Sequence, residues 1–280
     1  MSWTTPRTWT TGELVTKAIL DTHVRDNLDY LKTQIDTVAG GVAATVTTTG
    51  TINNLAGLTF RSGVNITLRM NNASDSTITG VSGAVDGAVL TIVRVGAGNV
   101  FFSHESASST AANRLINTLT SGNTPISSGG SAIYVYDGTT SRWRLIQHEQ
   151  GSFITYTPTL TNITIGNGTR SGRYYVRGLD VRFDIGVTIG STTTFGASPF
   201  TFSVPYANAN TISNYPPGIA VGYHGGTGLS TGMIAINNAA SAFSVNRVTD
   251  VESANGWDSG TPWGWTSGDS MSFSGVYTTS

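Results

Sequence analysis

Short apolar runs separated by turn residues fill most of this 280-residue chain. Between residues 45 and 150 the runs include NITLRM, AVLTIVRV, NVFFSH, SAIYVYD and RWRLIQ, and the turns between them include NNAS, VDG, GAGN, SSGG and YDGTTS. Alternation of β-prone runs with Gly-, Asn- and Asp-rich turns is typical of strands. AVLTIVRV and AIYVYD are nearly continuous apolar runs, which indicates strands covered on both faces. The sequence therefore predicts a mainly β protein.

A second β region follows a break near Gln150–Ser152 and occupies residues 153–280. Its clearest strand is LDVRFDIGVTIG, because a strand places alternate side chains on opposite faces. One face is apolar and the other polar; the apolar positions are Leu179, Val181, Phe183, Ile185, Val187 and Ile189, and the polar ones are Asp180, Arg182, Asp184 and Thr188. This pattern predicts a β-sandwich-like C-terminal domain.

The segment before the strands, residues 13–41, has a helical pattern. Its large apolar residues repeat at spacings of four and three, at Val24, Leu28, Leu31, Ile35 and Val38. That narrow stripe is the seam of a coiled coil, and so short a helix is marginal in water by itself. We expect a short helix within residues 13–20, a second one capped by Asp21 or Thr22, and self-association through the seam. The alternative is a helix that packs on the chain's own β domain.

Residues 1–12 carry Trp3, Pro6 and Trp9 and have no helical period. We expect an extended arm whose two indoles pack on another protein, although an arm folded back on its own domain also fits. The predicted organisation is an attachment arm (1–12), a helical self-association segment (13–41), a middle β module (42–152) and a C-terminal domain (153–280).

The composition restricts the possible partners. Charged residues make up 11% of the chain, against roughly 25% in an ordinary domain, while 38% hydrophobic residues exclude a disordered chain. The net charge of −1 does not favour nucleic acid, and the absence of cysteine excludes disulfides and thiolate metal sites. No apolar stretch approaches the roughly 20 residues of a membrane span, and MSWTTPRTWT does not resemble a signal peptide. We expect no membrane insertion, synthesis in a cytoplasm and release, if any, by cell lysis.

Catalytic chemistry has weak support in the sequence. Glycosidases need two carboxylates about 5–9.5 Å apart, whereas Asp180 and Asp184 lie roughly 13 Å apart along one strand. Asp250 and Glu252 share a strand face about 7 Å apart, as any alternating edge strand can show. The long repeat of a β-helix depolymerase is not evident. The four histidines match no ligand motif, although one His per chain on a threefold axis stays open. We expect no catalytic residues, no cofactor and no metal.

Aromatic residues are concentrated in the C-terminal region. Trp257, Trp263 and Trp265 fall within nine residues of turn-like sequence, next to Asp258, and Tyr223 and His224 lie in another loop-like stretch. Sugars bind to apolar faces flanked by a few polar groups, so these six residues are the candidate ligand-binding set. From residue 183 onward Arg247 is the single basic residue against five acidic ones, which favours a neutral glycan. The alternative is that the indoles fill the core or the trimer axis.

Three segments resemble proteins of tailed bacteriophages. TPRTWTTGELVTKAILDTHVRDNLDYLK resembles an N-terminal segment of phage structural proteins. GAVDGAVLTIVRVGAGNVFFSHESASSTAANRLIN, followed by AIYVYDGTTSRWRLIQ, resembles a module of fibre and tail proteins. TYTPTLTNITIGNGTRSGRYYVRGLDVRFDIGV, followed by FTFSVPYAN, resembles a C-terminal β domain of fibres and receptor-binding proteins.

The resemblance covers about two thirds of the chain and brings no catalytic residues with it. It implies a homotrimeric head or tail fibre of the virion that acts in host adsorption, attached to another virion protein by its N-terminus and binding a host cell-surface glycan. Two alternatives stay open: a glycan-degrading spike enzyme, and a purely structural capsid or tail decoration without a ligand.

Overall fold

The protein is mainly β, with one helical segment near the N-terminus. The computed structural model describes residues 4–5, 8, 10–39, 42–197, 199–209, 217–225, 228–236, 240–247 and 256–279. Within these ranges the side chains of 34–39, 42 and 247 are not described. Trp3 and Trp9 of the predicted arm lie outside the described residues, as do Asp250 and Glu252.

The helical segment is continuous from residue 17 to residue 39. It consists of α1 (Lys17–Leu20), a π-helical stretch (Asp21–Arg25) and α2 (Asp26–Ala39). The predicted N-cap at Asp21 or Thr22 is wrong, because Asp21 has helical dihedral angles and forms ion pairs with Lys17 and Arg25, four residues away on either side. The cap is Thr16, whose hydroxyl accepts a 3.3 Å hydrogen bond from the Ile19 N–H. The two predicted helices are therefore one.

Residues 42–103 form a three-coil parallel solenoid. Each coil contributes one strand to each of two sheets, and the six strands are β1 (Val42–Val46), β2 (Gly50–Ile52), β3 (Asn65–Met70), β4 (Ser76–Ile78), β5 (Val89–Arg94) and β6 (Val100–Ser103). Val42, Ile66 and Leu90 are successive register partners, so one coil advances the chain by 24 residues. The repeat is hard to see in the sequence, because β1 and β2 are separated by three residues but β3 and β4 by five.

Four further strands cap the last coil. They are β7 (Leu115–Ile116), β8 (Asn123–Ile126), β9 (Ser131–Asp137) and β10 (Arg142–Glu149), preceded by a 3₁₀ turn at Ala111–Asn113. β8 and β9 pair antiparallel with β6 and β5, and β10 pairs antiparallel with β9 but parallel with β7. The two sheets have the orders β1-β3-β5-β9-β10-β7 and β2-β4-β6-β8. Trp143 is fully buried between them, where its indole contacts Phe60 and Tyr136 and its Nε1 donates to the Val81 carbonyl at 2.9 Å.

The C-terminal region is built around one nine-stranded antiparallel sheet in the order β11-β14-β15-β21-β18-β19-β20-β17-β12, with a two-stranded sheet β13-β16 beside it. The strands are β11 (Ile154–Tyr156), β12 (Leu160–Thr161), β13 (Ile163–Thr164), β14 (Thr169–Arg177), β15 (Asp180–Thr188), β16 (Thr194–Phe195), β17 (Thr201–Ser203), β18 (Gly218–His224), β19 (Gly228–Ile236), β20 (Ala242–Arg247) and β21 (Ser270–Thr278).

This sheet curls until its two edges meet. Its edge strands, β11 and β12, are three residues apart in the chain, and the Tyr156 hydroxyl donates to the Ser203 carbonyl at 3.2 Å across the gap. We expected a β-sandwich-like domain, and the structure has a single curled sheet instead. The short connection from β11 to β12 brings the two edges of that sheet together.

The inner face of the curled sheet holds the C-terminal core. The alternation predicted for β15 is confirmed at Val181, Phe183, Ile185 and Val187, which are all buried. Leu179 differs, since it lies in the turn before β15 and is exposed.

The middle and C-terminal regions share a packed junction. Leu119, from the loop between β7 and β8, is buried in the C-terminal core. Gln150 is buried and bonds through both ends of its amide to the backbone of Tyr174 and Val176. Tyr206 donates its hydroxyl to the Asn123 carbonyl at 2.8 Å. The predicted boundary after residue 152 falls at this junction.

Candidate functional site

Three tryptophans form an indole cluster: Trp257, Trp263 and Trp265. The ring centroids of Trp257 and Trp265 are 5.6 Å apart, and those of Trp263 and Trp265 are 5.4 Å apart. The cluster leads outward from the core, because Trp257 and Trp265 are buried while Trp263 is half-buried. The three predicted indoles are therefore brought together, but at different depths.

Trp257 is a core residue. Its side chain has no exposed surface, and its ring packs against Phe273 with centroids 6.1 Å apart. Two glycines on neighbouring strands make room for it: a Cβ built on Gly222 would lie 3.1 Å from the Trp257 ring, and one on Gly232 would lie 3.2 Å from its Nε1. Contrary to the prediction, Trp257 cannot present a ring face to a ligand in this fold.

Trp265 and Asp258 hold the loop in place. The Trp265 ring is nearly buried, and its Nε1 donates to the Asp258 carbonyl at 2.9 Å. The Asp258 carboxylate accepts the Gly260 N–H at 2.8 Å, which closes a short turn. Trp265 is thus also a packing residue rather than the predicted stacking surface, because its indole is covered by its own loop.

Trp263 and His224 form the part of the predicted site that reaches the surface, which we call the ring platform. Their ring centroids are 5.3 Å apart, with planes tilted by 43°. His224 is partly exposed and bonds through Nδ1 to Asp269 Oδ2 at 2.9 Å. The platform offers one apolar ring and one polar ring side by side, and its histidine is fixed from behind.

Asp269 holds the histidine of the ring platform in place, although it was not among the residues predicted from the sequence to bind a ligand. Its side chain is fully buried and accepts the N–H groups of Gly225 and Thr266 at 3.0 and 2.8 Å. Burial alone raises the pKa of this carboxyl, but the hydrogen bonds from the two N–H groups and His224 outweigh it and hold the pKa below its usual value. The signal that could have found it is the turn Thr266–Asp269, which precedes a strongly alternating strand.

Tyr223 lies apart from the other predicted ligand residues. It is adjacent to His224 in β18, and alternate residues of a strand face opposite sides. Its ring is therefore on the outer side of the sheet, where it is exposed opposite Leu229 of β19. The six predicted residues thus fall into three groups. Two form the ring platform, three pack beneath it or close its loop, and Tyr223 lies on a different surface.

That different surface is the outer face, which we define as the outward side chains of β14, β15, β21, β18 and β19. The register aligns them in rows across the strands, such as Arg173–Asp184–Ser274–Ile219–Met233 and Ser171–Gly186–Ser272–Val221–Thr231. A groove of about 510 Å³ crosses this face. Short residues line its floor, including Ser171, Gly186 and Ser272, and Ile219 and Val221 form part of its wall.

The one ion pair at the groove is Arg173–Asp184, among the described residues that line it. The Arg173 Nε lies 2.9 Å from Asp184 Oδ2, and the Ser274 hydroxyl donates to Asp184 Oδ1 at 2.7 Å. Desolvation raises the pKa of the Asp184 carboxyl, but the bonds from Ser274 and Arg173 prevail and lower it. An ionised, paired carboxylate of this kind is not arranged as a general acid, which needs a raised pKa.

The predicted helical seam is exposed in the single chain. The exposed fractions of Val24, Leu28 and Leu31 are 41%, 59% and 42%, and Ile35 lies among the undescribed side chains. Elsewhere on the helix, Asn27 is buried and bonds through its amide to both the N–H and the carbonyl of Thr4, at 2.9 and 3.0 Å. At Thr4, then, the predicted arm lies against the chain's own helix.

Among the described residues, no three His, Asp or Glu side chains lie close enough together to hold a metal ion. No helix within the described ranges is long and apolar enough to cross a membrane.

No protein-family model and no curated protein matches this chain.

Proposed function

We propose that this chain is a structural virion protein of a tailed bacteriophage, without catalytic activity of its own. It is a homotrimeric head or tail fibre, held by its N-terminus on another virion protein, whose C-terminal domain binds a neutral glycan of the host surface. The observation that carries the proposal is the exposed seam of Val24, Leu28 and Leu31 on a helix that precedes two β regions. The resemblance of three sequence segments to phage proteins supports it.

The seam argues for association because Val24, Leu28 and Leu31 keep 41–59% of their surface exposed in the single chain. Fully burying one Val or Leu side chain contributes about 1.5–3 kcal/mol, and three helices share that gain in a bundle. A helix of this length is marginal alone, so packing against identical copies would stabilise it. Arg25 and Lys17 pair with Asp21 within the chain, which leaves the apolar stripe as the main feature for a partner to recognise.

The test of the trimer is the double substitution Leu28→Asp with Leu31→Asp. We expect the wild-type chain to sediment as a trimer at micromolar concentration and the variant as a monomer with folded β regions. The matched control is Thr22→Asp with Thr33→Asp, which adds the same charge at exposed positions off the seam and should leave the trimer intact. A wild-type monomer at micromolar concentration would contradict the proposal.

Glycan binding is proposed at the ring platform. Trp263 supplies an apolar ring beside His224, and buried Asp269 keeps His224 in one orientation. A sugar needs such an apolar face together with a few fixed polar groups. Each ring contact is expected to contribute about 1–2 kcal/mol, and three sites per trimer would add avidity.

The test of the platform is Trp263→Ala in the full-length protein. We expect adsorption to host cells to fall about five- to thirtyfold for a loss of 1–2 kcal/mol, with a melting temperature near that of wild type. The control is Trp257→Ala, which should cost about 3–5 kcal/mol of stability because that indole is fully buried. Unchanged adsorption by a folded Trp263→Ala trimer would remove the platform as the site.

A further inference from the structure

We propose that the outer face of the curled sheet is an interface with a second copy of this chain. This inference rests on the proposed self-association and adds a contact that the helical seam does not supply. In it, the apolar strands β18 and β19 of one copy cover the groove over β14, β15 and β21 of the next.

The first support is the apolar character of β18 and β19. Ile219 and Leu229 are 63% and 71% exposed, and Tyr223 and Met233 are also exposed. They form two directly opposed cross-strand pairs, Ile219 with Met233 and Tyr223 with Leu229. All outward positions of the two strands carry apolar residues or Thr, although the chain keeps charged side chains elsewhere on this face. Contiguous exposed apolar surface of this kind is typical of an interaction site.

The second support is the shape of the outer face. Beside the large side chains of β18 and β19 lies the groove floored by Ser171, Gly186 and Ser272. A ridge and a groove on different parts of one surface suit a heterologous contact, in which each copy binds the next and the ring closes by rotation. A threefold ring of this type needs both features on every chain.

The third support is the charge at the groove. Arg173 and Asp184 neutralise each other, and Ser274 satisfies the second carboxylate oxygen. Covering the groove with apolar side chains therefore buries no unpaired charge there. An unpaired buried charge is what would make such burial most costly.

Each contact of the ring joins the two strands β18 and β19 of one copy to the three strands β14, β15 and β21 of the next. With strands about 4.8 Å apart and nine residues of about 3.3 Å each, these patches present roughly 280 and 430 Å². A standard stable interface buries about 800 Å² on each partner, so this contact adds to the helical seam and does not replace it. A second copy is favoured over a glycan because Tyr223 is the single aromatic ring among the described outward side chains of β18 and β19, whereas aliphatic side chains suit the core of a protein interface.

The test uses the absence of cysteine from the chain. Ile219→Cys in the full-length protein is labelled with a maleimide, and the rate is compared with that of the same variant in denaturant. We expect native labelling to be at least tenfold slower. The matched control is Ile146→Cys on β10, which is 62% exposed in the single chain and should label at close to its denatured rate.

The outcomes separate the two proposals. If the protein sediments as a trimer and position 219 labels as fast as in denaturant, this interface is wrong while the trimer stands. If the protein is a monomer, both fall. A folded Leu229→Lys variant gives a second readout: a lower melting temperature of the trimer than Ile146→Lys supports the interface. Unchanged melting together with weaker glycan binding would assign the face to a glycan instead.

Discussion

The solenoid and the curled sheet bury their apolar side chains in different ways. In the solenoid, Leu68 and Ile92 are covered by the opposite sheet, and the neighbouring outward positions of β3 and β5 include Thr67, Arg69 and Thr91. The curled sheet fills its interior equally well, yet it also carries large apolar side chains on its outer face. The solenoid and its cap expose single apolar residues such as Val95 and Ile146, whereas the curled sheet exposes two opposed apolar pairs on neighbouring strands that a partner could cover.

Topology explains part of this difference. Each parallel coil packs on the coil before and after it, so added coils cover one another and only the ends need a cap. A curled antiparallel sheet has one inside and one outside, and the outside is covered only by something else. The outward apolar residues of β18 and β19 therefore add nothing to the core of their own region, whereas the inward Ala220, Ile234 and Ile236 belong to it.

The largest effect is expected from Trp143→Ala, on strand β10 of the cap that closes the solenoid. The indole is fully buried, contacts Phe60 and Tyr136, and donates to Val81, so its loss should cost about 3–5 kcal/mol. The control Ile146→Ala, on the same strand but exposed, should stay within about 0.5 kcal/mol of wild type. Denaturant unfolding measures both. Equal effects would mean that the solenoid is not closed as described.

An intermediate effect is expected from Gly98→Ala, in the third coil where its backbone packs against the second coil. A Cβ at Gly98 would overlap the backbone carbonyl of Ser74 in the coil before it. The coils would have to separate locally, at a cost of about 1–3 kcal/mol. Gly264→Ala is the control, because a Cβ there meets nothing within 4 Å. Thermal melting should place the control with wild type and Gly98→Ala below both; coincident curves would contradict the stacking.

The smallest effect is a pH dependence of the stability of the curled sheet, contributed by Asp269. The pKa of Asp269 is lower in the folded protein than its ordinary value of about 3.9, so this carboxylate stabilises the fold above that pH. Its contribution is lost as the pH falls from about 4 through the folded pKa. Asp269→Asn should be less stable than wild type at pH 7, and the gap should narrow toward pH 3. Urea unfolding at both pH values measures it, and a gap that widens in acid would contradict the assignment.

Local periodicity carried the successful predictions. The alternation of β15 and the helical stripe both depend on neighbours within a few residues, and the structure has a buried face at Val181, Phe183, Ile185 and Val187 and a helix over Leu28 and Leu31. The coil repeat was missed because its equivalent residues are 24 apart and share little beyond an apolar side chain, as Val42, Ile66 and Leu90 show.

The depth of the indoles could not be predicted because it depends on residues far away in the chain. Trp257 is buried since Gly222 and Gly232, which lie 35 and 25 residues earlier on β18 and β19, leave space for its ring. Likewise, Ile219 and Met233 form an exposed pair only once the register of β18 and β19 is known. Neither the packing of Trp257 against these glycines nor the pairing of Ile219 with Met233 can be predicted from neighbouring residues in the sequence.

The 24-residue coil makes the length of the middle region adjustable in fixed steps. A duplication of one coil would lengthen the solenoid by one strand spacing, about 4.8 Å, and the new coil would meet the same kinds of neighbours as the old ones. The helix at one end and the curled sheet at the other would keep their own contacts. Genes for such chains can therefore change the distance between their two ends by copying a short segment, without redesigning either end.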